Sequence, residues 1–310
     1  MTINSVKYAD PAFNSSVNLP DKHKLWMAAI KPPMYSVAIM PILLGTAVAY
    51  AKTQTIQLEI FSIFLISAIL ILAWENLHND LFDSETGIDH NKHHSVIHLT
   101  GNKSLVFWLG NLCLSVGISG ILAIAWLQQD PTMLLLILAC CGLGYIYQGP
   151  PFRLGYQGLG EILCFFSFGP LAVSAAYYSQ TQTWSLTAFM GSIILGISTS
   201  LILLCSHFHQ VEDDLAAGKR SPIVRLGTRR GAQLLPWLCG SLYALTVLGV
   251  AIGRFPLWTS LIFGSLPPAF QLCRHVLTHH NQPEKVSNSK FIAVSLHFWS
   301  GLLLSLGFLL

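Results

Sequence analysis

Charge is what this 310-residue sequence has least of: 10% of its residues are Asp, Glu, Lys or Arg, where an ordinary soluble domain carries about 25%. Seventeen Lys and Arg and 14 Asp and Glu cannot coat a soluble particle of 34.1 kDa. The 53% of hydrophobic residues fall in long runs, and mean hydropathy is +0.56, so a water-soluble enzyme and a nucleic-acid binder are excluded first. A C-x-x-C pair is also lacking. The seven cysteines (Cys113, Cys140, Cys141, Cys164, Cys205, Cys239 and Cys273) lie inside apolar stretches and read as small core residues. The first 25 residues hold Asp10, Asp21, Lys22, His23 and Lys24 without an apolar h-region. A removable leader is therefore not expected there, nor an Arg-rich transit segment.

What is there is a series of apolar runs long enough for a hydrocarbon core of ~30 Å. They fall at 32–52, 57–78, 105–127, 132–148, 160–179, 184–207, 233–253, 256–275 and 290–310. The expected fold is all-α: a polytopic membrane protein of about nine transmembrane helices around a central cavity, with 32–310 as a single domain and 1–31 as a cytoplasmic N-terminal segment. Connections near 53–56, 128–131, 180–183 and 254–255 are tight. Those near 79–104, 149–159, 208–232 and 276–289 are longer and polar, so all the long loops share one side with the N-terminus. Of 17 Lys and Arg, only Lys52 and Arg254 fall in tight loops. This positive-inside bias makes the long-loop side cytoplasmic. Of the acids, only Glu59 and Asp130 lie on the other side. Carboxylates do not set topology, so their gathering on one face points to chemistry.

The first long loop begins Trp74-Glu75-Asn76-Leu77-His78-Asn79-Asp80-Leu81-Phe82-Asp83 while its helix is still at bilayer depth. Glu75, Asn79 and Asp83 are spaced i, i+4, i+8 on one helical face. In lipid such a stripe is heavily penalised, which predicts a protein-lined, water-filled cavity. Oxygen-only ligands converging on one side suit Mg²⁺, which bridges one or two carboxylates to substrate phosphates. Four helices later comes His207-Phe208-His209-Gln210-Val211-Glu212-Asp213-Asp214, followed by Gly218-Lys219. Gln210 and Asp214 are again i, i+4, and two acidic loops an even number of spans apart suggest an approximate internal repeat. A Mg²⁺-bound diphosphate between them would use both.

Between these loops runs Tyr145-Ile146-Tyr147-Gln148-Gly149-Pro150-Pro151-Phe152-Arg153, a shaped turn leading to Tyr156 and Glu161. Arg153 is its one basic group to reach a diphosphate oxygen. Tyr145, Tyr147, Phe152 and Tyr156 offer aromatic faces to a developing cation, although tyrosine is also common at membrane interfaces. Histidines 78, 90, 93, 94, 98, 207, 209, 275, 279 and 280 share the same side. Imidazole suits transition metals, which keeps a divalent-metal or solute transporter as an alternative. Against it, the polar groups sit at one face rather than near the midplane.

Asn79-Asp80-x-x-Asp83 running into Gly87-Ile88-Asp89, with a second motif ending in Asp214-x-x-x-Gly218-Lys219, resembles the UbiA superfamily of intramembrane aromatic prenyltransferases over essentially the whole chain. The Gly-x-Asp form of the first motif is similar to the naphthoate-prenylating branch. Asn91-Lys92-His93-His94-Ser95, the run from His207 to Asp214, and Ser221-Pro222-Ile223-Val224-Arg225-Leu226-Gly227-Thr228 are similar to its phytyl-transferring members of phylloquinone synthesis in cyanobacteria and plastids. Gln210 stands where relatives carry an Asp, and His209 where they carry an Arg. Asp213 or Glu212 is then the candidate to share the missing ligation. Arg153 is a displaced counterpart of the basic residue that follows the tyrosine loop in relatives.

The resemblance implies transfer of a phytyl or polyprenyl group from its diphosphate to 1,4-dihydroxy-2-naphthoate or 2-carboxy-1,4-naphthoquinone, with loss of diphosphate and CO₂. Another aromatic acceptor, such as hydroxybenzoate, homogentisate or chlorophyllide, is the milder alternative. It implies Mg²⁺ as cofactor, held by Asn79, Asp80, Asp83, Asp89, Asp213 and Asp214. Asp80, Asp83, Asp214 and Tyr147 are the expected catalytic residues. Lys92, Lys103, Arg153 and Lys219, with His209 and Gln210, are expected to bind substrate. An apolar cavity with Phe165, Phe166 and Phe168 close by would house the tail and keep water from the cation. A cyanobacterial plasma or thylakoid membrane is the expected location, with lipid and the two substrates as partners.

Overall fold

The computed structural model describes Trp26, Met27 and residues 30–86 and 95–310, and among these residues it contains helices and no strands. Nine rods form the body: α1 (Ser36–Thr53), α2 (Leu58–Thr86), α3 (Lys103–Gln128), α4 (Thr132–Gln148), α5 (Gly160–Thr181), α6 (Leu186–His207), α7 (Thr228–Ala251), α8 (Leu266–His279) and α9 (Ser289–Leu309). Seven helical segments among the described residues are long and apolar enough to cross a membrane. The other two expected spans are helical but shorter. The 17-residue α4 stops before Gly149-Pro150-Pro151. The segment expected at 256–275 is a 3₁₀ stretch, Leu257–Ser265, leading into the 14 residues of α8. Pro267 and Pro268 lack the N–H groups that would carry an α ladder back through Leu257–Ser265. The protein is an integral membrane protein.

α2 has 29 residues, a length of about 43 Å at 1.5 Å per residue, against a core of ~30 Å. Its C-terminal turns, with Asn79, Asp80 and Asp83, therefore carry the acidic stripe out at the long-loop end. α3 packs along α2, and α9 packs on α1, α6 and the Leu257–Ser265 turn. Caps fix the starts: Asn102 accepts from Leu105 N (3.0 Å) and Ser185 from Ala188 N (3.2 Å).

The tight-loop end is tied by side chains. Gln57 N donates to Gln180 Oε1 (2.8 Å), Gln57 Nε2 donates to Gln180 O (2.9 Å), and the Tyr178 hydroxyl donates to Asp130 Oδ2 (2.6 Å). Trp126, Trp184 and Trp258 are exposed at this end, as an interfacial aromatic belt requires. α5 is interrupted by a π turn, Ser167–Leu171, containing Pro170. Gly169 makes that turn possible beside α6: a Cβ there would stand 2.7 Å from Ser192 O and 2.8 Å from Gly196 Cα.

Candidate active site

A cavity of about 910 Å³, mouth included, opens between α1, α2, α4, α5 and α6. Glu75, Asn76 and Asn79 from α2, Tyr147 from α4, Ser206 from α6 and Lys290 from α9 give its wall polar groups, while Leu72, Leu163, Phe168 and Ile202 are apolar. A second, apolar chamber of about 480 Å³ shares Leu72, Glu75, Ser167 and Phe168 with it and continues to Pro41, Ile42, Phe64 and Ile137. The π turn thus places Ser167 and Phe168 where the two chambers meet. Of the expected phenylalanines, Phe168 lines both chambers; Phe166 is exposed on the outer surface and Phe165 packs on Gly196.

The stripe on α2 faces the cavity as its spacing predicts, with Glu75 and Asn79 in the wall. Asp83 accepts a hydrogen bond from the Gln148 side chain at the end of α4. Asp80 is engaged away from the cavity wall. Its Oδ2 accepts from Val96 N (2.9 Å), at the start of the short helix Val96–Thr100, and its Oδ1 lies 3.4 Å from Lys31 Nζ. It does not line the cavity, because the residue after Asn79 falls 100° round the helix. Asp89 and Lys92 lie outside the described residues, as do His90, His93 and His94.

In the second motif, Asp214 is fully buried at the start of the short helix Val211–Ala216. Its Oδ2 is 3.1 Å from His207 Nδ1, and its Oδ1 is 3.4 Å from Lys219 Nζ. His207 reaches the other way to Glu161, with Nε2 at 3.4 Å from Oε1. Burial alone would raise the Asp214 carboxyl, but the hydrogen bond from His207 and the charge of Lys219 outweigh it and hold the group below the ordinary carboxylate range. Asp213 is half-buried beside it. Gln210 precedes the helix and contributes its carbonyl oxygen to Asp214 N (2.7 Å), with no side-chain cap bond. His209 is half-buried next to it.

The loop between the motifs joins them. The Tyr156 hydroxyl is 2.6 Å from Thr86 Oγ1 at the end of α2, its carbonyl accepts from Arg220 N (2.7 Å), and its ring lies 5.9 Å from Lys219 Nζ. Arg225 donates to Gln157 O. Tyr147 stands within electrostatic reach of Asp83, Glu161 and Asp214, which brings both acidic motifs to one end of the cavity. Of the four expected aromatic faces, only Tyr147 lines the main cavity; Tyr145 and Phe152 are exposed, and the Tyr145 hydroxyl donates to Pro150 O (2.8 Å). Arg153 reaches Glu85 (3.5 Å) from a left-handed backbone position, φ 44°. Lys103 is exposed on the first turn of α3, outside the cavity wall.

Sequence reasoning missed Lys290, Gln148, Lys31 and the bridging role of His207. Their signal is tertiary: Lys31 and Asp80 are 49 residues apart, and Gln148 and Asp83 are 65 apart. The described histidines are engaged in hydrogen bonding or packing. His78 packs on Trp74, Phe82 and Phe107, His275 Nε2 lies 3.1 Å from Lys285 O, and His280 Nδ1 lies 3.0 Å from Thr228 Oγ1. Among the described residues, no three His, Cys, Asp or Glu side chains form a ready metal-binding group.

Residues 38–302 match the UbiA prenyltransferase family. Over 289 residues, 93% of this chain and 94% of the relative, the sequence is 58% identical to the 2-carboxy-1,4-naphthoquinone phytyltransferase of Synechocystis sp.. It is 42% identical to the chloroplastic 2-carboxy-1,4-naphthoquinone phytyltransferase of Arabidopsis thaliana over 92% of this chain and 76% of the relative. The fold is similar to a solved UbiA homologue from Archaeoglobus fulgidus bound to DMAPP and Mg²⁺, with a TM-score of 0.55 at 14% identity, covering 90% of this chain and 99% of that one. The chain belongs to the UbiA prenyltransferase family.

Proposed function

We propose that this protein transfers a phytyl group from phytyl diphosphate to the carboxylated ring carbon of a naphthoid acid, 1,4-dihydroxy-2-naphthoate or 2-carboxy-1,4-naphthoquinone. The observation that carries this reading is the 58% identity, across 93% of the chain, to an enzyme that bears the second acceptor's name. The step balances without an oxidant. The allylic C–O bond breaks with its electron pair going to diphosphate, the new C–C bond forms, and the ring–carboxylate bond breaks as CO₂ with its pair returned to the ring.

The cavity suits the two substrates. The apolar chamber beyond Phe168 matches a hydrocarbon tail and shields an allylic cation from water. Tyr147 offers a ring to that cation. Lys219 and Arg153 are the cations we assign to the diphosphate, and Lys290 in the cavity wall supplies a further positive charge for an anionic group. Asp214, held by His207 and Lys219, fixes the second motif. Asp80 fixes Lys31 and the Val96–Thr100 helix against α2.

The donor set fits Mg²⁺. Asn79 opens into the cavity, and Asp83 stands one turn further on. Asp213 is half-buried beside Asp214, whose Oδ1 accepts no hydrogen bond among the described residues and is the one oxygen of that buried carboxylate left to offer. With so few carboxylates gathered, phosphate oxygens would complete the shell, and the bound ion would neutralise charge on the departing diphosphate. We assign the site to the cytoplasmic face of a cyanobacterial plasma or thylakoid membrane, with 32–310 as one catalytic domain. His297, buried in α9, is bonded to Ser198 Oγ at 2.8 Å and so reads as a packing residue rather than a transport ligand.

The test is pyrophosphate release by detergent-purified protein given phytyl diphosphate and each redox form of the acceptor, with Mg²⁺ and then with EDTA. Release that needs both acceptor and Mg²⁺, with a prenylated naphthoquinone in the extract, is the expected result; Asp83→Asn should lose at least about 100-fold in turnover while keeping its helical content. No release with either redox form sinks the reading.

A further inference from the structure

Glu75 is the acid in this cavity that the reaction as described leaves without a task. It lies one turn before Asn79 on the same face of α2 and lines both the polar-mouthed chamber and the apolar one behind it. It makes no hydrogen bond or ion pair among the described residues, and the groups around its charge are the thiols of Cys140, Cys141 and Cys164. α4 leaves room for it: a Cβ on Gly144 would stand 2.2 Å from Glu75 Oε1. A carboxyl in a membrane-embedded cavity without a protein partner calls for one from the ligand.

The two substrates narrow the choice. The tail is hydrocarbon and offers no donor or acceptor, and the diphosphate is an anion that belongs with the cations assigned to it, Lys219 beside the second acidic motif and Arg153 in the loop before it. With the tail in the apolar chamber and the diphosphate outside it, the reacting carbon and the acceptor ring meet at the level where the chambers join, which is where Glu75 stands. The acceptor alone brings a neutral oxygen to that level. We propose that Glu75 hydrogen-bonds a ring oxygen, hydroxyl or keto, of the aromatic acceptor and so sets which ring carbon faces the allylic carbon. This rests on the prenyl-transfer reading above.

Equilibrium binding tests it, with steady-state kinetics as a second readout. The naphthoid acid, in each redox form, and a non-hydrolysable prenyl thiodiphosphate are titrated separately into wild type, Glu75→Leu, Glu75→Gln and Gly144→Ala, and acceptor KM is compared with prenyl diphosphate KM. Glu75→Leu should weaken acceptor binding about tenfold or more and raise acceptor KM to match, leaving thiodiphosphate affinity within about twofold. Glu75→Gln, whose amide both donates and accepts, should recover most of the loss. Gly144→Ala should reproduce the acceptor defect with the carboxyl intact, which keeps the test decisive if the leucine variant does not fold. Unchanged acceptor affinity in the variants, or equal losses for both ligands, overturns the assignment to Glu75 alone. A wild type that binds neither ligand overturns the prenyl-transfer reading and this inference with it.

Discussion

Asp214 shows how one carboxylate is held in a buried place. It is fully inaccessible, yet His207 and Lys219 approach its two oxygens. A carboxyl whose pKa is lower folded than unfolded stabilises the fold above its unfolded value, and that contribution disappears as pH falls through the folded value. The thermal midpoint of the purified protein should therefore fall on acidification below about pH 4. Asp214→Ala, which strands Lys219 and His207, should cost about 3 kcal/mol at neutral pH and show a shallower acid limb. A variant whose midpoint tracks wild type at every pH would contradict this account. Asp80 is the complementary case. Its place in the Asn79-Asp80-x-x-Asp83 motif was legible, but its partners Lys31 and Val96 N come from remote segments that periodicity does not reveal.

At the scale of elements, what could be read in advance was which face of α2 turns inward. Glu75 and Asn79 do line the cavity, because spacings of four residues keep side chains on one face. The break in α5 was not legible. Pro170 marks a disturbance, but only contact with α6 decides that it becomes a π turn bringing Ser167 and Phe168 to the junction of the chambers. Backbone lies on the far side of Gly169 and cannot yield as a side chain tip does. Gly169→Ala should push α5 from α6 and destabilise the protein by about 1–3 kcal/mol, read as a lower midpoint in detergent; an unchanged midpoint would mean that the two helices can separate freely. The winding of the eighth expected span was not legible for a related reason. Hydropathy registers the apolar run, whereas Pro267 and Pro268 decide that its first part, Leu257–Ser265, winds as 3₁₀.

For the whole molecule, the separation of ends follows from the loops. Gln57, Gln180 and the Asp130–Tyr178 pair close one end, and Tyr156 draws the acidic motifs together at the other. In a cysteine-free background, a single cysteine at Thr183 and one at Gln157, both exposed positions, should be labelled by an impermeant maleimide from opposite sides of the membrane. Labelling from the same side would refute the arrangement. The grouping of long and tight loops at two ends was legible from loop lengths, and the charge bias adds the expectation, tested by this labelling, that the long-loop end is cytoplasmic. The contents of the cavity were not legible, since Lys290 enters its wall from the start of the last helix, far from either motif.

The junction of the two chambers, the larger carrying a few polar groups, has a consequence for traffic. In the proposed reaction each substrate arrives with an anion, a diphosphate or a carboxylate, and the transfer removes both. The cations assigned to the substrates, Lys219, Arg153 and Lys290, would thus hold what enters and find nothing to hold on the neutral quinone that is made. That product is more soluble in hydrocarbon than in water, and the helices around it are faced with leucine and tryptophan toward lipid. Chemistry and release are then one event, because losing the charge is also losing the handle.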